Sequence, residues 1–322
     1  MTPTANNYGI IVRFPVDAVV KISPFTGYER FAEGEEGTKS GDAAVARRTP
    51  TRGIGRRRGL RHVTDTMPTH IPWSKDELLM AFRLYCRTPF GKLHQHNPEI
   101  IKLARTLRRT PSAVGMKACN FASLDPVQRA RNITALGNVS RGDRELWEAF
   151  KENPEAVAAE AEAAHARLTG QDAPPLEMEL YLPDGPTEIA RMVRTRRVQA
   201  FFRAAVLASY EYRCALSDIA IPDLLNASHI IPWKVNAGRR ADPCNGIALN
   251  ALYDRAFDRG LICFDEQLRV VVSRQLWSGK VPALQRAALL DISGRPLRLP
   301  YRFSPDPVAL AYHREHIFGR RS

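Results

Sequence analysis

"NGIALNALYDRAFDRGLICFD", residues 245–265, decides how the C-terminal half of this chain is built. Asn245-Gly246 reads as a tight turn out of a loop. The segment after it carries Asp254 and Asp258 at i, i+4, so a helix there puts both carboxylates on one face, where they can converge on one cation. An apolar strand is predicted around 261–264. Upstream, "ASHIIPW" (227–233) ends an apolar, strand-like run on His229, just before the rigid Pro232. A histidine, an asparagine and a helix with two carboxylates are thus predicted to lie near one another. No histidine stands between His229 and His313 to serve as a softer ligand.

Composition sets the bounds. A chain of 322 residues is long enough for two domains and a proper core. No apolar run approaches a membrane span, and no secretory signal pattern opens the chain, so a soluble, cytoplasmic protein with no membrane partner is expected. The five cysteines are odd in number and scattered. The nearest approach to CxxC is "CALS" at Cys214, with Ser217 where a second thiolate would stand, so a zinc knuckle is not indicated and reduced, partly buried thiols are expected. The formal charge of +13 favours a polyanionic partner.

Residues 1–66 read as a disordered basic arm or an over-extended gene start. "VARRTPTRGIGRRRGLRH" (45–62) lacks apolar periodicity, and "MPTHIPWSKDELL" at Met67 leads straight into a clear domain, which favours the second reading. The arm carries only +4 of the net charge, so the basic character does not depend on it.

Residues 67–168 are predicted to be α-helical. Ser74 and Glu77 form a capping box ahead of Leu78, Leu79, Phe82 and Tyr85. Asn97-Pro98 starts a second helix, and Thr110-Pro111 caps and opens a third. "DRELWEAFKENPEAVAAEAEAAHARL" (143–168) reads as one further helix, its Ala/Glu end lapped by solvent. Residues 169–186 are a Pro/Gly-rich linker with room for one strand. The C-terminal domain, 187–322 with its core at 201–265, opens on a basic helix. Its apolar positions Val198, Phe201, Phe202, Val206 and Leu207 alternate with arginines that include Arg203. The tail beyond residue 272 reads as a strand, a short helix and a closing helix carrying His313 and His316.

Read as an ordered set, the module from Phe201 to Asp265 resembles the HNH endonuclease family, in particular its bacterial restriction branch. The resemblance rests on the cysteine before the first strand, the "HIIPW" motif, "DPCNG" and "AFDRGLI". The run "W…ELL…LYCRTPFGKLH…NPEI…LA…RTPSAV" is similar to the helical region that accompanies some of those enzymes, and its three short helices also resemble Myb-type and helix-turn-helix modules. The resemblance implies an α+β chain, an α-helical N-terminal domain followed by a C-terminal ββα-metal nuclease domain, hydrolysing DNA with a divalent ion. His229 takes the place of the general base. Asn245 takes that of the asparagine that braces the loop and so orients it.

In many relatives a histidine stands where Asp254 is, four residues before the Asp of "FD". Tyr253 stands at a neighbouring position that is histidine in some relatives, and Ser228 at one that is often an acidic or histidine ligand in other branches. Carboxylates at Asp254 and Asp258 shift the expected ion to Mg²⁺ or Mn²⁺. Phosphate contacts are expected from Arg203, Lys234, Arg239, Arg240, Arg255 and Arg259, with Arg109 and Lys117 facing a groove from the helical domain. A homodimer would let two nicking sites cut both strands. Taken singly, the same residues fit blander roles. The two aspartates could pair with Arg255, Arg259 or Arg203, and His229 could be a satisfied strand-end histidine. The rival function is a non-catalytic DNA-binding protein with a degenerate HNH module; RNA as substrate is a third reading.

Overall fold

The structure, a computed structural model, describes residues 72–133, 139–172 and 186–318. The chain divides between Thr66 and Met67, and all described residues lie on the C-terminal side of that point. The readings made for residues 1–66, and the strand allowed for the linker over 173–185, lie outside the described residues. What is described mixes helices with two small antiparallel sheets. Among the described residues no helix is long and apolar enough to cross a membrane.

Local signals start the helices. Helix α1 (Lys75–Arg87) begins at the Ser74–Glu77 capping box, with both reciprocal hydrogen bonds formed. Helices α2 (Pro98–Thr106) and α3 (Pro111–Leu124) open on Asn97-Pro98 and Thr110-Pro111, whose side chains accept backbone N–H groups left unpaired at a helix start. A one-turn α4 (Pro126–Ala130) follows.

The single helix expected over 143–168 is two, α5 (Arg141–Glu152) and α6 (Pro154–Thr169). Pro154 has no N–H to continue α5, while Asn153 caps what comes next. Nor is the Ala/Glu end of α6 lapped by solvent. Ala158, Ala161, Glu162 and Ala164 are buried, because alanines let this helix approach α1 and the long α7 (Pro186–Ser209) closely.

Helix α7 joins two hydrophobic clusters. Val198 and Phe201 enter the helical one, where the ring of Phe82 meets Phe121 at 5.2 Å, Phe150 at 4.9 Å and Phe201 at 6.3 Å. Phe202 and Val206 enter the other, which lies under the C-terminal sheets. The tail ties the two together. Arg302 is buried and donates hydrogen bonds to the carbonyls of Tyr85, Cys86 and Thr88, which end α1 without intrahelical partners.

The C-terminal half holds the ribbon β1 (Leu225–His229) and β2 (Gly246–Asn250), paired antiparallel with His229 opposite Gly246. Helix α8 (Ala251–Asp258) leaves β2 directly, capped by Asn250. A Cβ on Gly246 would strike Val206 and come within 2.8 Å of Phe202, so only glycine lets α7 lie this close to the ribbon. The second ribbon pairs β3 (Ile262–Phe264) with β4 (Val270–Val272). The strand expected in the tail is therefore displaced. It forms just before the tail, in "VVV", and residues 274–277 make a short 3₁₀ turn instead. A short helix at Ala283–Gln285 and a closing helix at Pro307–His313 are both present.

Candidate active site

His229 ends β1 with its ring stacked on Phe202, centroids 3.8 Å apart and planes 12° from parallel, and with the edge of Trp233 against it. Its Nε2 lies 3.0 Å from the carbonyl oxygen of Arg240. A carbonyl only accepts, so Nε2 carries the proton and Nδ1 keeps its lone pair. Burial holds the imidazole below the ordinary histidine range, against opposing effects of the Arg240 carbonyl and the Asp254 charge. The ring is accordingly neutral at neutral pH and presents one basic nitrogen.

Asn245 is buried and grips the loop that connects the two strands. Its Oδ1 accepts from Ile231 N at 2.8 Å, and its Nδ2 donates to Ile231 O at 3.1 Å and Arg239 O at 3.3 Å. Its own carbonyl accepts from Ile230 N at 2.9 Å. One end of this bracing therefore stands next to Arg240, whose carbonyl fixes the His229 ring.

Asp254 and Asp258 sit one turn apart on α8. Asp254 accepts a 2.7 Å hydrogen bond from Asn226 Nδ2, and among the described residues neither carboxylate forms a salt bridge. Pairing with Arg203, Arg255 or Arg259 is thereby set aside. Asp258 is exposed, yet the protein packed around it and then the Asp254 charge push its carboxyl up to about 6, against Arg255 and Arg259. Two like charges one turn apart on a helix face, one of them raising the other's carboxyl, are a donor set that a hard cation would relieve. The described residues do not gather three His, Cys, Asp or Glu side chains around one point, so His229 is not brought into a ligand cluster with the two aspartates. The oxygen pair suits Mg²⁺ or Mn²⁺, since Mg²⁺ keeps several of its waters and needs only one or two carboxylates.

The expected phosphate contacts divide. Lys234, Arg255 and Arg259 are exposed. Arg203 is also exposed and lines a cavity among the helices rather than the ribbon. The other four have partners within the protein. Lys117 is buried at 3.0 Å from Asp143. Arg109 is held by Glu77 at 2.6 Å and by the Pro72 carbonyl, and both cations lie over the ring of Trp73. Arg239 pairs with Asp242 and Asp306, and Arg240 donates to the Trp233 carbonyl. Arg240 matters to the site through its main-chain oxygen.

Among the described residues His313 joins no group of three possible metal ligands. It is stacked on Phe257 at 3.6 Å and bonded to the Phe257 carbonyl, and burial lowers it to about 4. The "CALS" turn docks by hydrogen bonds: Cys214 Sγ accepts from Asn250 N, and Ser217 Oγ from Asn250 Nδ2. All five cysteines are free thiols.

Two residues of the site escaped the sequence reading. Phe202 supplies the surface under the base and looked like any core aromatic. Asn226, which orients Asp254, had one faint signal: an amide in an otherwise apolar strand.

Residues 214–265, from the Cys214 turn to the residue after β3, match the family model described as HNH endonuclease. An HNH endonuclease domain therefore occupies this part of the chain. Comparison with curated proteins gives no match.

Proposed function

We propose that this protein is a metal-dependent HNH endonuclease of the ββα-metal type that hydrolyses DNA phosphodiester bonds. The observation that carries the reading is the His229 ring, neutral, with Nε2 anchored on the Arg240 carbonyl and Nδ1 left as a base inside the matched domain. Phosphodiester hydrolysis requires a water to lose its proton, the charge on the pentacovalent centre to be offset, and the 3′ oxygen to leave. His229 Nδ1 takes the proton. Phe202 and Asn245 hold the ring and its loop in place, which matters because small misplacement of a base is expensive in rate.

Asp254 and Asp258 would hold the divalent ion, which supplies Lewis-acid stabilisation of phosphate charge when bound. Asn226 fixes one oxygen of Asp254, so that carboxylate is oriented before any cation arrives. Lys234, Arg255 and Arg259 are exposed cations in the matched domain that would meet the DNA backbone. The similarity of the helical region to the one that accompanies restriction-type HNH enzymes supports a role in defence against foreign DNA. The test is nicking of supercoiled plasmid in Mg²⁺ or Mn²⁺, with a structured RNA as alternative substrate. DNA should be nicked and the RNA left intact.

Ligand binding gives a second readout, independent of cleavage. Above pH 6, where Asp258 has lost its proton, Mg²⁺ or Mn²⁺ should raise the thermal midpoint of the chain. At pH 5 the rise should shrink, because a proton then competes for Asp258. The sign follows from linkage. A carboxyl raised in the folded state contributes stability that is present below its unfolded pKa and is lost as pH rises through about 6, and a bound cation restores it. The double variant Asp254→Asn, Asp258→Asn should lose the metal-induced shift. An equal shift in that variant would remove both residues as ligands.

A further inference from the structure

A cavity of about 540 Å³ lies between α1, α2, α6 and α7, on elements that take no part in the candidate active site apart from α7. It is a size that accommodates a small ligand such as a mononucleotide. Its lining mixes charged side chains with apolar ones, Leu84, Leu103 and Leu207 among them.

The charges in it do not balance. Arg83 is held by Glu162 at 2.8 Å in a largely buried pair, and Asp172 by Arg197 at 2.8 Å. Arg87, Lys102 and Arg203 also line the cavity, and none of them forms an ion pair among the described residues. Glu99 is the one lining acid likewise without an ion pair there, so cations outnumber it. The excess is felt inside the wall. His165 is depressed by burial and then by the charges of Arg83 and Arg87, and Arg87 also acts against its neighbour Arg83. A bound anion would relieve this crowding of like charges. Arg87 brings a planar fork of donors suited to phosphate oxygens, which Lys102 and Arg203 supplement.

One aromatic side chain, Tyr212, shares the lining. It stands in the left-handed region at φ 56°, directly after Glu211 at φ 54°, and its N–H closes on the Leu207 carbonyl at 2.8 Å. Left-handed backbone is uncommon for a residue of this bulk and persists only where surrounding structure holds it. The turn keeps an aromatic group in the same lining as three cations, and an aromatic face with cations about one cavity is the pairing that receives a base together with its phosphate.

From this juxtaposition we propose that the cavity between α1, α2, α6 and α7 binds a phosphorylated nucleotide, through Arg87, Lys102 and Arg203 at the phosphate and Tyr212 at the base. The same chemistry is offered by a free nucleotide and by a nucleotide within a strand. The site stands on the cavity alone and does not depend on the cleavage reading.

The test is calorimetric titration of the full chain in EDTA, so that cleavage is silent. The probes are deoxynucleoside monophosphates, inorganic phosphate and a short single-stranded oligodeoxynucleotide. Saturable binding is expected, weakened at least about tenfold by Arg87→Gln combined with Lys102→Gln, since each charged hydrogen bond to phosphate is worth roughly a factor of ten or more. Tyr212→Leu should weaken the monophosphates more than inorganic phosphate. His229→Ala should leave all binding unchanged, which separates this site from the catalytic one. Binding of monophosphates marks a free-nucleotide site; binding of the oligonucleotide alone marks a strand contact, and either supports the proposal. Should the double variant lose thermal stability, Arg203→Gln, at an exposed position, replaces it. Absence of saturable binding by every probe, equal affinity for inorganic phosphate and nucleotides, or affinity indifferent to these substitutions would overturn it.

Discussion

His229→Ala should leave a folded chain whose DNA cleavage is slower by about 10²–10⁴-fold, the range that a positioned general base contributes. The size of the effect follows from how much of the site converges on this ring. The Arg240 carbonyl fixes Nε2 as the protonated nitrogen, Phe202 sets the plane, and Asn245 holds the loop that carries Arg240. Alanine removes the lone pair on Nδ1 and nothing in the described surroundings replaces it. The fold should survive, because the ring makes one hydrogen bond and β1 keeps its full register with β2. The measurement is the initial rate of plasmid nicking, with circular dichroism and the metal-induced thermal shift as controls. A variant that binds metal, folds and still cuts at the wild-type rate would end the assignment of His229 as base.

Arg302→Met should lower stability by about 3–5 kcal/mol, the cost of removing one member of a buried charged network. Arg302 comes from the tail but ends α1, donating to three carbonyls that would otherwise be left unpaired in the interior, and its guanidinium lies over the Tyr85 ring. Tyr85 in turn donates to Asp125 at 2.8 Å, whose carboxyl burial raises. Methionine fills part of the volume without a donor, so those carbonyls lose their partner and Asp125 loses a nearby positive charge while keeping its bond from Tyr85. Urea unfolding reads the loss as a lower midpoint at unchanged slope. A change of less than about 1 kcal/mol, the scale of an exposed ion pair, would show that α1 does not need this cap.

Much of this architecture was legible because its signals are local. The Ser74–Glu77 box, Asn97-Pro98 and Thr110-Pro111 each act within three residues, and each helix starts where they stand. Asn153-Pro154 is a signal of the same kind, hidden in an alanine-rich run that reads as continuous helix. That α6 is buried was not legible, since alanine suits a solvated face and a close helix contact equally well.

At the site, the order from the cysteine through "HIIPW" and "DPCNG" to the two aspartates pointed to the domain. What places those groups is long-range. Phe202 meets His229 across the ribbon, and Arg302 reaches carbonyls more than two hundred positions earlier in the chain. Basic residues were the least readable. Charge shows in a sequence, but whether Lys117 faces DNA or Asp143 depends on packing that no local pattern encodes.

The most direct test of the account is a single time course of supercoiled plasmid with the wild-type chain, first in EDTA and then after addition of excess Mg²⁺ or Mn²⁺. The account predicts intact plasmid in chelator and nicked circles once metal is supplied, formed about 10²–10⁴-fold more slowly by His229→Ala. Intact plasmid under every metal condition, in a chain that still binds DNA, would contradict it and leave a DNA-binding protein with an inactive HNH domain.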